Sequence, residues 1–209
     1  MNLEIKALTP ELEKEYFDFF DNRAFSDGSP NYPCYCNHFN MSMEQIELEI
    51  WKKSESYGGG EYGWKKALRE SAVRMLRIGA IKGYLAFENG VAVGWCNAND
   101  RMNFFLVGED NVPLYEVPGD CKRKGVIKSV VCFEIAPEQR RKGIAGKLLE
   151  RVCSDASKDG YSFVEAYPTK QVENIGLAYA GTTHFYEKSG FVPFGKKNNI
   201  IVMRKELKG

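Results

Sequence analysis

The sequence has no long apolar run: nowhere do its 209 residues approach the roughly 20 consecutive apolar positions that a membrane-spanning helix needs. Its start, MNLEIKALTPELEKEYFDFF, also lacks the basic stretch and apolar core of a secretory leader. A cytoplasmic protein without a membrane partner is expected, and its six cysteines are expected as thiols rather than as a disulfide framework. Charge excess is missing too. Lys and Arg number 29 against 28 Asp and Glu, a net +1 that offers no broad field to nucleic acid or to an anionic membrane. No internal repeat, low-complexity tract or domain-boundary signal interrupts the chain, so one domain spanning 1–209, with an insertion, is the simplest organisation for this length.

What is present reads as a mixed α/β order. Leu3 to Leu8 alternates as a strand does, and Thr9-Pro10 can cap and open a helix running to about Ala24. Residues 26–40, SDGSPNYPCYCNHFN, concentrate turn formers, aromatics and two cysteines, which predicts a loop over a surface or site. Ser42 and Gln45 form a capping-box pattern ahead of a helix whose Ile46, Ile50 and Trp51 share a face. Beyond SESYGGGEYG, a third helix carries Leu68, Ala72, Met75 and Leu76 at helical spacing and stops at Gly79. From Gly83 the period becomes two: YLAFE and VAVGWCNA read as strands joined by an Asn89-Gly90 hairpin turn. A polar, weakly patterned stretch, GEDNVPLYEVPGDCKRKG, leads to VIKSVVCFEIAP, apolar enough for a central strand. A helix follows with Ile144, Leu148, Val152 and Ala156 at intervals of four. Then come a strand in YSFVEAYP, a loop through Tyr179, a short helix in THFYEKSG, and two closing strands in FVPFGKK and NIIVMRKEL.

The segment Ile135-Ala136-Pro137-Glu138-Gln139-Arg140-Arg141-Lys142-Gly143-Ile144-Ala145-Gly146 lies between the apolar strand and the amphipathic helix. A helix start presents unpaired N–H groups and the positive end of the peptide dipole, and Gly143, Ala145 and Gly146 leave that backbone unobstructed, which suits a pyrophosphate. Arg140, Arg141 and Lys142 add positive charge. Taken by itself, the same pattern also fits an ordinary strand-to-helix turn with a solvated basic cluster.

Arg140-x-x-Gly143-x-Ala145 resembles the coenzyme-A signature of the GNAT acetyltransferase superfamily. Two more segments are similar to family features in the right order: Phe163-Val164-Glu165-Ala166-Tyr167-Pro168 to its fifth strand, and Phe185-Tyr186-Glu187-Lys188-Ser189-Gly190-Phe191 to its last helix-to-strand turn. The resemblance covers about residues 80–206. It implies a mostly antiparallel central sheet flanked by helices, in which the fourth and fifth strands splay apart and admit acetyl-CoA as co-substrate. Phe133 to Ile135 would be the open edge that pairs with pantetheine. The backbone of Arg141, Lys142, Gly143, Ile144, Ala145 and Gly146 would hold the pyrophosphate. Residues 26–79 would be a helical insertion over the acceptor side.

For the chemistry, the resemblance implies that Tyr186 protonates the departing sulfur; its alternative is a core tyrosine. Glu134 is the best base candidate because it interrupts an apolar strand and must face solvent or the acceptor cavity. Family members with a catalytic glutamate often place it where this chain has Ser129, so an ordered water is an alternative, and Glu165 is a second candidate. An Asn common seven residues before the tyrosine is replaced here by Tyr179, and Thr182 or Thr183 is read as a helix cap. Cys34-x-Cys36-x-His38, with Cys96, is too incomplete a set for a structural zinc site, so no metal is expected. Tyr32, Tyr35, Phe39, Trp51 and Trp64 could wall an acceptor, though aromatics so spaced more often pack helices.

Together these features point to an N-acetyltransferase acting on a primary amine of a small molecule, with a homodimer possible. Its alternatives are a non-catalytic acyl-CoA-binding sensor or subunit, and a protein or peptide N-acetyltransferase. A dinucleotide-binding oxidoreductase would need its glycine-rich turn directly after the first strand, and this motif lies too late.

Overall fold

The computed structural model describes residues 2–29, 32–108, 111–118, 125–169 and 179–207. The expected loop through residues 170–178, the centre of the polar stretch at 119–124, and Pro30-Asn31 of the first loop lie outside them.

Strand β1 (Leu3–Ala7) is followed by α1 (Glu13–Asn22), whose Tyr16, Phe17, Phe19 and Phe20 are buried. Pro10 opens a short 3-10 turn ahead of α1, but the Thr9 side chain takes no helix N–H and bonds the Glu11 carboxylate instead, which corrects its expected role as a cap. The capping box of Ser42 and Gln45 is present and starts α2 (Met43–Ile46), which continues through a π-helical turn (Glu47–Trp51) into α3 (Lys52–Ser56). That turn bears on the expected apolar face: Ile46 and Ile50 are buried, whereas Trp51 is 45% exposed. Helix α4 (Gly60–Arg77) begins four residues before Trp64, where the sequence pattern starts it. It ends as expected, with Gly79 at φ 68° and the Ala80 N–H returning to the Met75 carbonyl.

Strands β2 (Gly83–Glu88) and β3 (Val91–Asp100) form the predicted hairpin, with Asn89 at φ 52° and Gly90 at φ 78° in the positive-φ conformation that such a two-residue turn demands. Within the weakly patterned stretch lies a small hairpin, β4 (Leu106–Val107) with β5 (Val112–Pro113), too short to leave a period in the sequence. Then come β6 (Ile127–Ile135), α5 (Ile144–Lys158), β7 (Phe163–Ala166), α6 (Thr183–Lys188), β8 (Val192–Lys197) and β9 (Ile200–Glu206).

Seven strands make one sheet in the order β1-β2-β3-β6-β7-β9-β8, antiparallel throughout except for the parallel pair β6-β7. Because β4 and β5 stand apart, β6 and β7 take the places of the fourth and fifth strands that the resemblance implies. One face buries α1 with α2–α4, through Leu85, Phe87 and Trp95; the other buries α5 and α6, through Tyr84, Ala86, Val130 and Phe133. Side chains of β2 alternate between the two layers with the period of a strand.

Where β2 passes beneath Trp95 there is no room for a side chain at Gly83. A Cβ added at Gly83 would lie 2.1 Å from the Cys96 carbonyl oxygen and 2.5 Å from the Trp95 ring, neither of which can retreat from the sheet. Gly83→Ala should therefore destabilise the fold by on the order of 1–3 kcal/mol, the usual cost of overpacking, as a lowered midpoint in chemical denaturation will report.

Candidate functional site

Strand β6 pairs with β7 only from Ile127↔Phe163 to Val130↔Ala166, while it stays paired with β3 as far as Ile135. Val131 is an extra residue opposite the Asn97–Ala98 step of β3, a bulge that bends β6 at the point where β7 leaves it. The Ala136 N–H bonds the Val93 carbonyl, so the alternation of an antiparallel pair turns the main chain of Phe133 and Ile135 away from β3 and toward the gap. These two edges differ. The Ile135 carbonyl accepts from Arg140 Nε at 3.1 Å, and its N–H bonds the Glu134 carboxylate, which leaves Phe133 as the open edge residue of the expected pair.

At the end of β6 the chain makes a 3-10 turn (Pro137–Gln139), passes through Arg141 at φ 63° and Gly143 at φ 81°, and enters α5. The first helical bond is from the Lys147 N–H to the Gly143 carbonyl at 3.1 Å; among the described residues, the N–H groups of 141–146 have no backbone acceptor. Nothing lies within 4 Å of a Cβ built at Gly143 or Gly146. An open, positively polarised helix mouth beside a parted pair of strands fits a diphosphate with a long arm. The basic side chains contribute less to it than their number suggests. Arg140 turns back to Asp27 at 2.5 Å and to Glu134 at 3.6 Å, and Lys142 bonds Gln139 at 3.0 Å, so the backbone carries the cradle.

On the opposite face, a cavity of about 330 Å³ is lined by Glu134 and Cys132 of β6, by Trp64 and Leu68 of α4, by Cys34, Asn37, His38 and Phe39 of the first loop, and by Tyr179. Burial pushes the Glu134 carboxyl up to about 8; Arg140 opposes that shift, and Asp27 adds to it. The phenol of Tyr186 is wholly buried, donates to the Ala180 carbonyl at 2.8 Å, and is pushed well above its ordinary value by that burial. Phe185 packs on Phe133, 5.6 Å between ring centroids, which sets the start of α6 beside the gap. Thr182 accepts the Phe185 N–H at 3.2 Å and so caps α6.

Other candidates fall elsewhere. Glu165 is buried between Arg101 and Arg204, with Tyr167 donating to it at 3.0 Å, and Ser129 bonds the same Tyr167 hydroxyl at 2.7 Å. Both belong to this internal network, which removes Glu165 as a second base. Cys36 takes the Asn97 amide on its sulfur at 3.4 Å, while Cys96 packs on the α5 face, so the four groups of the suspected ligand set do not converge. Tyr35 is core and Tyr32 sits beside Phe25 and Lys65; of the five aromatics, only Phe39 and Trp64 line the cavity. The sequence reading missed Asn37, Asn111 and Cys132. Cys132 carried a signal, since it lies two residues before Glu134 and therefore on the same side of the strand.

The sequence profile of the Acetyltransferase (GNAT) family matches residues 42–191, most of the chain. The chain belongs to that family. No curated protein matches it closely enough to count. Among solved structures, this acetyltransferase-family chain is similar to the N-acetyltransferase of Staphylococcus aureus Mu50, with TM-score 0.54 and 13% identity over 100% of both chains. It is also similar to the PaiA N-acetyltransferase of Thermoplasma acidophilum, solved in complex with coenzyme A, with TM-score 0.51 and 18% identity over 99% of both. A GNAT-family acetyltransferase of Streptococcus pneumoniae gives TM-score 0.51 and 16% identity over 99% of this chain and 100% of that one. At these identities the likeness is one of fold, and it confirms the mostly antiparallel sheet flanked by helices. The profile match begins at residue 42, well ahead of the resemblance read from motifs.

The open turn gives a clean probe of the helix mouth. Gly143 needs its left-handed conformation, whereas Gly146 is an ordinary helical position with empty space before its Cβ. Gly146→Glu should keep or raise the melting temperature, because glycine is the poorer helix former, while its carboxylate faces the bound diphosphate. Coenzyme A affinity should fall at least about 100-fold in calorimetry, the result of opposing like charges.

Proposed function

We propose that the chain moves an acetyl group from acetyl-CoA directly to a primary amine of a small molecule, as one domain in which residues 26–79 roof the acceptor side. One observation carries this reading: the gap between β6 and β7 has an open helix mouth on one face and, on the other, a cavity holding a carboxyl tuned to about 8. Acetyl-CoA supplies the activated acyl group as a thioester. The N–H groups of 141–146 receive its diphosphate, and the main chain of Phe133 offers a donor and an acceptor to the amide-bearing arm. A cavity of this size is at the small end of ligand sites, which favours a small acceptor over a folded protein.

An amine attacks only as the neutral base, so a proton must leave it. We assign that role to Glu134, the carboxyl among the described lining of the cavity. A cationic amine beside it, together with Arg140, favours the ionised carboxylate, so the value in the complex lies below that of the empty protein. Tyr186, protonated by virtue of its burial, gives up the Ala180 carbonyl and donates to the sulfur as charge develops there. Thiol release from acetyl-CoA, screened against a panel of amines, tests the whole reading.

The Glu134 assignment sets a pH profile. The base must be ionised, so kcat/KM should rise with pH and level off above about 8, and Glu134→Gln should abolish the rise while lowering kcat/KM by roughly 10²–10⁴. The stability sign is opposite. Glu134 holds its proton in the folded state up to a higher pH than its unfolded value of 4.5, so stability falls as pH climbs from about 4.5 to about 8. Glu134→Gln should flatten that decline in pH-dependent melts.

Tyr186→Phe separates chemistry from packing. Shape and burial are kept and only the hydroxyl is lost, so losing the Ala180 bond should cost roughly 0.5–1.5 kcal/mol of stability. As the acid, Tyr186 should also be worth about 10²–10⁴ in kcat with little change in acetyl-CoA affinity. A mutant that melts lower yet turns over normally would confine Tyr186 to the core.

A further inference from the structure

We propose that the acceptor is a primary amine with an aromatic or apolar body and no carboxylate or phosphate, and that Asn37 receives a second hydrogen-bond donor carried on that body. This deepens the reading of the Glu134 cavity as the acceptor site and rests on it.

The charge inventory of the cavity is one-sided. Its described lining holds one carboxyl, Glu134, and neither lysine nor arginine. The guanidinium that contacts Glu134, that of Arg140, is already bound to Asp27, to the Ile135 carbonyl and to Glu134 itself. An anionic substituent would be buried beside a carboxyl without a counter-charge, which is costly. An ammonium finds the opposite: a carboxyl partner and the aromatic side chains of Phe39, Trp64 and Tyr179, residue types that attract cations and pack apolar bodies.

The neutral polar groups are also one-sided. Asn37 is 1% exposed and lines the cavity; its Nδ2 reaches the Leu68 carbonyl at 3.4 Å, while its Oδ1 is buried and has no partner among the described residues. A buried acceptor left unpaired is unfavourable until a donor arrives. Burial holds the neighbouring His38 below its ordinary value and hence neutral, with Nε2 bound to Asn111 at 2.7 Å. Among its described residues the first loop therefore brings no cation to the cavity. Glu134 is on β6 and Asn37 on the first loop, and the proposal gives Asn37 a donor on the body of the acceptor and Glu134 the reacting amine.

Tyramine, 2-phenylethylamine, L-tyrosine and L-phenylalanine isolate each claim, because they differ by one hydroxyl or one carboxylate. Their dissociation constants should be measured by calorimetry on the full chain, with and without coenzyme A. Tyramine should bind at least about tenfold more tightly than L-tyrosine, and about threefold or more above 2-phenylethylamine, the range of one added hydrogen bond. In Asn37→Leu the advantage of tyramine over 2-phenylethylamine should vanish, each variant serving as its own reference. Amino acids binding as well as their amines, or no binding of any of the four at millimolar concentration, overturns the proposal, and both results stand on the unmutated chain if Asn37→Leu fails to fold. Loss of coenzyme A binding with the amine ranking intact would instead overturn the acetyl-transfer reading alone.

Discussion

The parallel ladder between β6 and β7 lasts four residue pairs, and the position of its end decides where every other part of the site can be. Pro168 has no N–H to continue it, and the chain there follows β9, with the Ile201 N–H on the Pro168 carbonyl and Thr169 bridged to Ile200. Strand β6 meanwhile bends at Val131 and stays with β3. Two strands held by different neighbours must part, and an antiparallel sheet with a single parallel pair offers one place for this to happen. Among the described residues, the parted edge leaves main-chain groups of Phe133 without a backbone partner, a cost that a ligand with amides along its arm can recover.

Arg140 joins the two sides of the gap. Its guanidinium touches the Ile135 carbonyl at the strand edge, Glu134 in the cavity, and Asp27 after α1, so the helix mouth, the carboxyl and the first loop share one cation. The arginine of the family motif is thereby better explained by what it holds on this side of the turn than by attraction to a diphosphate. Any ligand that repositions the 137–143 turn also changes the charge felt by Glu134, a coupling between the two halves of the site that needs no moving domain.

Much of this was legible in the sequence because it depends on local rules. The hairpin at Asn89-Gly90, the capping box at Ser42, the stop at Gly79 and the buried Ile144, Leu148, Val152 and Ala156 of α5 follow from turn chemistry and period alone. Glu134 stood out because an acid in VVCFEIA needs a reason. What stayed hidden is long-range. No spacing rule brings Asn37 and Trp64 to Glu134, or places Arg101 of one strand end against Glu165 and Arg204 of two others. Trp51 was misplaced by a local irregularity: the π-helical turn shifts the face that follows it, and a sequence period of 3.6 cannot register one extra residue in the turn.

Glu134 and Glu165 show why side-chain type alone could not separate them. They lie on adjacent strands, both buried and both interrupting apolar runs, and as sequence they are equivalent. Glu165 sits at the closed end of the sheet, where β6, β7 and β9 remain paired, and two arginines with a tyrosine occupy its oxygens. A carboxylate so satisfied has no lone pair to spare and fixes the strands that hold it. Glu134 sits past the parting, where β7 is gone and with it the side chains that would have paired the carboxyl. It keeps the Ile135 N–H and one long contact to Arg140, and burial without full compensation raises its proton affinity toward neutrality. The same divergence of strands that opens the gap thus leaves a carboxyl poised near neutrality, the group we propose as the base, whereas the neighbouring strand turns an identical side chain into structure.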